Sequence, residues 1–328
     1  MIRKKLPFII AEAGNNHEGN FKNARNLIIK AAETGVDAIK FQTFKTENYV
    51  NYKNKKRFNQ LKKFELGYNQ FISLSKLAKK KKLKFISTPF DLKSAKFLGK
   101  LVDIFKISSG DLLYHDLIDE VIKFKKPIII STGCSNLVEI KKTLNFLKKR
   151  KFPLKKVSFL HCVSMYPAKK ELVNLKTINY LKKVLKIKIG YSDHTIGYDV
   201  PILSYLNGAE IIEKHFTLNN NFSSFRDHKL SLNPQDMRHM VYSIKNLDKI
   251  IGINRKKVSQ DEKINKENLR RSFYYIKNLK KGSKVNFSDI KYVRPFSSLG
   301  FNYLSTYKKK LKKNVYKHSL VKLSQFYK

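Results

Sequence analysis

The stretch IKIGYSDHTIGYDVPILSYLNGAEIIEKHF, residues 187–216, is the part of this chain whose reading decides the fold. It holds two short apolar runs, Ile187–Ser192 and Glu210–Phe216, separated by a segment long enough for a helix. Apolar runs of this length suit parallel strands buried on both faces. Each run breaks into chemistry at its C-terminal end: Asp193 and His194 after the first, Glu213 and His215 within the second.

The same pattern recurs upstream. Six more runs lie at Phe8–Ala13, Ala38–Thr43, Phe85–Phe90, Ile104–Ser108, Ile128–Thr132 and Val157–Val163. Helical spacing of apolar residues separates them, as in Asn23–Glu33, Asn136–Lys149 (with Ser135 or Asn136 as cap) and Asp236–Ile250. Eight strands alternating with helices over about 250 residues predict a (β/α)8 TIM barrel. A doubly wound sheet is the alternative. The polar residues favour the barrel, because Glu12, Lys40, Gln42, Thr88, Lys106, Ser109, Ser131, His161, Ser164, Ser192, His194, Glu213 and His215 all fall at strand ends. In a barrel those ends share one face, where active sites sit.

After Ile251 the pattern changes. Residues 1–252 are expected to form the barrel, and the polar stretch 253–269 a linker with one short helix at most. Residues 270–328 are expected to form a small domain, with strand-like pieces at Ser272–Ile276, Lys291–Val293 and Leu320–Lys322 and turns near Lys280–Ser283 and Ser297–Gly300.

Lys and Arg outnumber Asp and Glu by 69 to 25, a formal charge of +44. The excess is mostly Lys and is spread along the whole length, without an Arg-rich or aromatic RNA-binding motif, so a generic basic surface is expected rather than nucleic-acid binding. The two cysteines, Cys134 and Cys162, follow apolar runs and read as buried thiols, not as a disulfide framework. No secretory leader and no run of about 18 apolar residues is found, so a cytoplasmic enzyme without membrane contact is expected.

His194 and His215 on adjacent strands, with Asp193 and Glu213 nearby, suit a divalent transition metal with open water positions. Lys40, Lys106, Ser109, Ser131 and Ser192, helped by Gly110 and Gly133, offer what a phosphate or carboxylate needs. A Schiff-base aldolase would instead need a desolvated Lys40 or Lys106. Glu18, in Asn15-Asn-His-Glu-Gly19, could act as general acid or base or could serve the following helix, and His17 reads as structural.

The stretches IAEAGNNHEG, IKFQT, FISTPFD, FKISSGD, IIISTG, LHCVSMYP, GYSDHTIG, IIEKHFT and RDHKLS, in this order, resemble the N-acetylneuraminate (sialic acid) synthase family, which includes legionaminate and pseudaminate synthases. The tail, with LRRSFYYIKNLKKGSKVNFSDI and YVRP, resembles that family's C-terminal SAF (antifreeze-like) domain. The resemblance implies condensation of phosphoenolpyruvate with an amino-sugar aldehyde such as N-acetylmannosamine, consuming water and releasing phosphate to give a nine-carbon 2-keto sugar acid. It implies a divalent ion, Mn with Mg or Co as alternatives, held by His194 and His215. It implies phosphoenolpyruvate contacts from Lys40, Thr88, Lys106, Ser109, Ser131, Ser164 and Ser192. Sugar contacts are implied for Gln42, Asp111, Tyr166 and Asp227, and for Arg294 across a domain-swapped homodimer. Glu18 is the implied acid/base. The pattern departs from the neuraminate synthases at four places around the sugar. Ser164 stands for Asn, Asp111 for Glu, Arg226-Asp-His228 for Gly-Pro-Asp, and Phe-Ser-Ser-Leu-Gly for the Gly-rich turn after Pro295.

Overall fold

The computed structural model describes residues 6–252, 254–296 and 309–327. The chain divides into two compact units, Met1–Gly252 and Ile253–Lys328. The predicted turn at Ser297–Gly300 lies outside the described residues.

The first unit is a closed parallel barrel of eight strands in sequential order. They are β1 (Phe8–Gly14), β2 (Ala38–Thr43), β3 (Lys84–Pro89), β4 (Ile104–Ile107), β5 (Ile128–Ser131), β6 (Val157–Cys162), β7 (Lys188–Asp193) and β8 (Ile211–His215). Strand β1 pairs with both β2 and β8, so no edge is left open and the doubly wound alternative is excluded. Helices fill the connections. Phe21–Ala32 is capped by the Asn20 side chain, and Leu137–Lys149 by a reciprocal Asn136–Glu139 capping box. No helix among the described residues is long and apolar enough to cross a membrane.

Side chains on a strand alternate between its two faces, so each strand feeds two separate cores. Ile9, Ala11, Ile39, Phe41, Phe85, Phe105, Ile130, Phe159, Ile189 and Ile212 belong to the large core between strands and helices. Ile10, Ala38, Ile86, Ile129, Leu160 and Ile211 form a second, small cluster that plugs the barrel interior. Two residues further along each strand, the interior positions turn polar: Glu12, Lys40, Thr88, Lys106, Ser131, Ser192 and Glu213. The alternation also corrects the expectation that all polar strand-end residues share the mouth. Ser87, His161, Asp193 and Lys214 take outward positions. Ser87 Oγ bonds Thr43 Oγ1 at 2.7 Å, and His161 Nε2 bonds the Val173 carbonyl at 2.7 Å.

Asp193 is therefore not beside the histidines as a metal ligand. It accepts from Lys214 Nζ at 2.6 Å, and both side chains are 0% exposed. The Tyr191 and Thr195 hydroxyls and the Thr195 amide also donate to the carboxylate. Cys134 is a second correction. It is exposed, with φ +57°, because it sits in the turn after β5 rather than inside the strand, whereas Cys162 is buried.

In the second unit, β9 (Ser272–Tyr275) pairs antiparallel with β10 (Ile290–Val293), and the helix Gln260–Leu269 precedes them. A small core of Tyr275, Val285, Ile290, Leu311, Val315, Val321 and Phe326 holds the unit together. The strand expected at Leu320–Lys322 reduces to a single bridge, Leu320 to Tyr274. The chain is too turn-rich there to extend a ladder.

Removing one partner of the Asp193–Lys214 pair leaves an uncompensated charge in an apolar layer. Asp193→Ala is expected to cost about 3–5 kcal/mol of unfolding free energy, measured by chemical denaturation. A paired Asp193→Leu, Lys214→Met replacement should recover most of it.

Candidate active site

The polar layer above the plug is built by register. Glu12 stands opposite Lys40 on one side and His215 on the other, and Ser192 opposite Glu213. Lys40 Nζ lies 2.8 Å from Glu12 Oε2 and 3.7 Å from Glu213 Oε2. It also reaches Thr88 Oγ1 at 3.5 Å. Lys106 Nζ donates to Ser131 Oγ at 2.6 Å and lies 3.9 Å from Glu213 Oε1. Ser192 donates to the same Glu213 oxygen at 2.9 Å. Gln42 bridges Glu12 Oε1 and Asn15 Nδ2 at 3.4 and 2.8 Å.

The sequence reading took the lysines as charges awaiting an anion. The structure supplies two buried carboxylates of its own, at Glu12 and Glu213. Burial pushes the Glu12 carboxyl up to about 7, helped by Glu213 and opposed by Lys40. Glu213 moves the other way: burial would raise it, but Lys106 and Lys40 hold it below its ordinary value. The two lysines also separate. Burial lowers Lys106. It would lower Lys40 too, but Glu12 and Glu213 outweigh it and hold Lys40 up. Of these two lysines, Lys106 has the direction a Schiff-base nucleophile needs and Lys40 does not.

Beyond this layer the His194 and His215 rings stand 5.4 Å apart, with the Tyr166 ring 4.2 Å from His194. His194 Nδ1 bonds the Val163 carbonyl at 2.8 Å. A carbonyl only accepts, so Nδ1 carries the proton and Nε2 keeps its lone pair. Nδ1 of His215 is buried without a hydrogen-bond partner among the described residues. Burial lowers both imidazoles, His215 strongly, and this favours the neutral form that binds metals. These features fit a divalent ion. Among the described residues no group of three or more His, Cys, Asp or Glu side chains is arranged to hold one. Two imidazoles would therefore leave the remaining positions to water and substrate oxygens.

A hydroxyl pocket adjoins the lysines. Ser109 Oγ accepts from the Gly133 amide at 3.0 Å. A Cβ at position 133 would come within 2.1 Å of Ser164 Oγ and 2.9 Å of Ser109 Oγ, so glycine is what lets both hydroxyls approach. Asp111, in the 3-10 turn Ser109–Asp111, accepts from Ser108 Oγ at 2.5 Å, and burial raises its carboxyl.

At the lip, the Arg226 guanidinium lies 4.4 Å over the Tyr166 ring and 3.4 Å from Asp227 Oδ1. Asp227 is 7% exposed, and burial raises its carboxyl. Glu18 occupies a left-handed position, φ +48°, and lines a cavity of about 660 Å³ together with Arg57 and Arg226. His17 is buried and accepts from the Gly19 amide at 3.0 Å, and burial lowers its imidazole to about 4, in keeping with a structural role. Arg294 lies in the second unit, where Nε donates to the Leu269 carbonyl at 2.9 Å. Sequence reasoning placed Arg226 and His228 near the sugar but missed the pairing of Arg226 with Tyr166 and the contact of His228, which is 0% exposed at the lip, with Glu18. Nothing in local sequence marks either, because their partners lie 60 and 210 positions away.

A model of the NeuB family matches residues 27–256. The N,N'-diacetyllegionaminic acid synthase of Campylobacter jejuni subsp. jejuni is 41% identical over 275 residues, covering 80% of this chain and 82% of that protein. The N,N'-diacetyllegionaminic acid synthase of Legionella pneumophila is 35% identical, covering 88% and 85%. Among solved structures, the N-acetylneuraminic acid (sialic acid) synthetase of Leptospira borgpetersenii matches with a TM-score of 0.74 and 34% identity, covering 79% of this chain and 90% of that one.

The Glu12 shift has a stability consequence. Between its ordinary value of 4.5 and about 7, the folded protein holds a proton that the unfolded chain has released. Stability from this group therefore falls as pH rises through that window. Glu12→Gln cannot titrate, so its denaturation midpoint should change less between about pH 5 and about pH 7.5 than that of the parent, by urea unfolding. Equal slopes would mean that Glu12 stays ionised throughout.

Proposed function

The chain belongs to the NeuB family, and on that premise we propose how its site joins phosphoenolpyruvate to an amino-sugar aldehyde. It is a sialic-acid-synthase-type enzyme, built on a TIM barrel. The observation that carries the assignment of the site is the stacking of two kinds of chemistry. Two buried lysines with clustered hydroxyls lie directly below a pair of neutral histidines.

Lys40 and Lys106 balance the charge of the trianionic donor, and Thr88, Ser109, Ser131, Ser164 and Ser192 hydrogen-bond its phosphate and carboxylate. Each added negative charge acts against Glu12 and Glu213, and Glu12 is poised to take up a proton when the donor enters. His194 and His215 would hold a divalent ion, Mn with Mg or Co as alternatives, which when bound supplies Lewis-acid polarisation of the aldehyde oxygen. Carbon 3 of phosphoenolpyruvate then forms the new bond to the aldehyde carbon. Water adds at its carbon 2, and the tetrahedral intermediate expels phosphate. Glu18 serves as general acid or base at the lip. Gln42, Asp111, Tyr166 and Asp227 orient the sugar.

The reading extends to a SAF-type second unit, a domain-swapped homodimer in which Arg294 serves the partner's sugar site, and a cytoplasmic location. Ser164 and Asp111 are both shorter than the neuraminate-synthase residues they replace. Together with relatives named for diacetyllegionaminic acid, they favour a diacetamido-trideoxyhexose over N-acetylmannosamine as acceptor.

Phosphate release from phosphoenolpyruvate, measured with manganese and each of these two acceptors, tests the function. Turnover with neither, in a folded and metal-loaded sample, overturns it. His215→Ala should abolish metal-dependent turnover, and full activity in that variant would refute the metal assignment. Gly133→Ala should displace the Ser164 hydroxyl and raise KM for phosphoenolpyruvate about tenfold, equivalent to about 1.4 kcal/mol, with little change in kcat.

A further inference from the structure

We propose that His228 is a positioning residue that anchors one oxygen of the Glu18 carboxylate and leaves the other oxygen to act on the substrate. The proposal rests on the reading of Glu18 as acid/base.

The donors and acceptors around Glu18 form a closed account. The Ser223 hydroxyl accepts from the Phe225 amide at 3.0 Å and spends its own hydrogen on Glu18 Oε1. His228 Nε2 meets the same oxygen at 3.2 Å. A carboxylate oxygen only accepts, so Nε2 carries the ring hydrogen. In a neutral ring Nδ1 is then an acceptor, and Thr217 Oγ1, 2.7 Å from it and 3.1 Å from the Asn219 carbonyl, gives its single hydrogen to the nearer of the two. Glu18 thereby selects the tautomer and Thr217 supports it, His228 and Ser223 both hold Oε1, and Oε2 accepts no hydrogen bond among the described residues. Burial lowers the His228 imidazole, which agrees with the neutral ring, while Glu18 opposes the shift.

The arrangement is locked from outside. Asn16 Nδ2, two residues before Glu18, donates to the Phe216 carbonyl at 2.8 Å and to Ser231 Oγ at 3.0 Å. This ties the loop after β1 to both ends of the segment that carries His228. Asn220 Nδ2 donates to the His228 carbonyl at 3.0 Å. The Phe222 and Phe225 rings stand 5.2 and 6.0 Å from the imidazole. The charged neighbours are few. Glu18 faces the ring from the loop after β1, Arg226, Asp227 and Lys229 lie beside it on its own segment, and Lys56, Arg57 and Lys63 share the cavity beside Glu18. An imidazole caged in this way, with both nitrogens committed, is a device for holding a carboxylate still.

The test is steady-state kinetics of the full-length, metal-loaded protein with phosphoenolpyruvate and whichever acceptor supports turnover. His228→Asn removes the donor to Glu18. It should lower kcat about 10- to 100-fold, leave KM for phosphoenolpyruvate unchanged and move the acid limb of the kcat profile up by about one pH unit. His228→Gln, which can place an amide N–H near the lost Nε2–H, should recover part of kcat and return the limb toward its original position. Thr217→Val keeps the imidazole but removes the support for its tautomer, and a smaller loss in the same direction is expected. Wild-type kcat and acid limb in His228→Asn, with Glu18→Gln inactive, would overturn the proposal. If His228→Asn does not fold, wild-type behaviour of Thr217→Val overturns it. Full activity in Glu18→Gln would instead remove the acid/base reading itself.

Discussion

The two-residue period of eight parallel strands closed into a barrel is the constraint from which the site follows. Each strand sends alternate side chains outward to the helices and inward to the barrel. Inward positions nearest the N-terminal ends are Ile, Leu or Ala and make a dry plug. The next inward positions are Lys40, Lys106, Glu12 and Glu213, and the last are His194 and His215. Moving β2 or β4 by one residue would exchange Lys40 or Lys106 for the Ile and Phe residues of the outer core. Fold stability and placement of the site are thus one property of the register.

That geometry creates an electrostatic problem and contains its answer. Two ammonium groups buried at 3% exposure are costly without counter-charges. Glu12 and Glu213 provide those counter-charges in the free protein. Because burial leaves the Glu12 carboxyl near 7, one carboxylate can be neutralised by a proton while the other stays ionised against Lys106 and Lys40. The barrel can thus exchange an internal negative charge for an external one without leaving its lysines bare. Asp193 and Lys214 use the same chemistry one residue away, on the opposite face of the strands. There the pair is fully buried on the helix side of the strands.

Much of this was legible in the sequence. Eight apolar runs with polar ends predicted the barrel, and Ile187–Ser192 and Glu210–Phe216 placed the histidines on adjacent strands. Of the two caps expected for the Asn136–Lys149 helix, Ser135 or Asn136, the structure contains Asn136. The reading failed where it needed the direction of a side chain. Asp193 and His161 looked like members of the mouth because they end strands, yet they point the other way. Cys134 looked buried because an apolar run precedes it, yet it lies in an exposed turn. Which of two adjacent polar residues faces inward depends on a register that the pairing of neighbouring strands fixes.

By itself, then, the sequence determined the fold class, the order of the elements and the residue types delivered to one end of the barrel. These depend on local periodicity and composition, which each segment carries alone. Only the tertiary structure decided that Glu12 and Glu213 neutralise the lysines, that Gly133 opens the hydroxyl pocket, and that His228 reaches Glu18 across 210 positions of chain. Those are distances between segments that never adjoin in sequence, and closure of the barrel is what sets them.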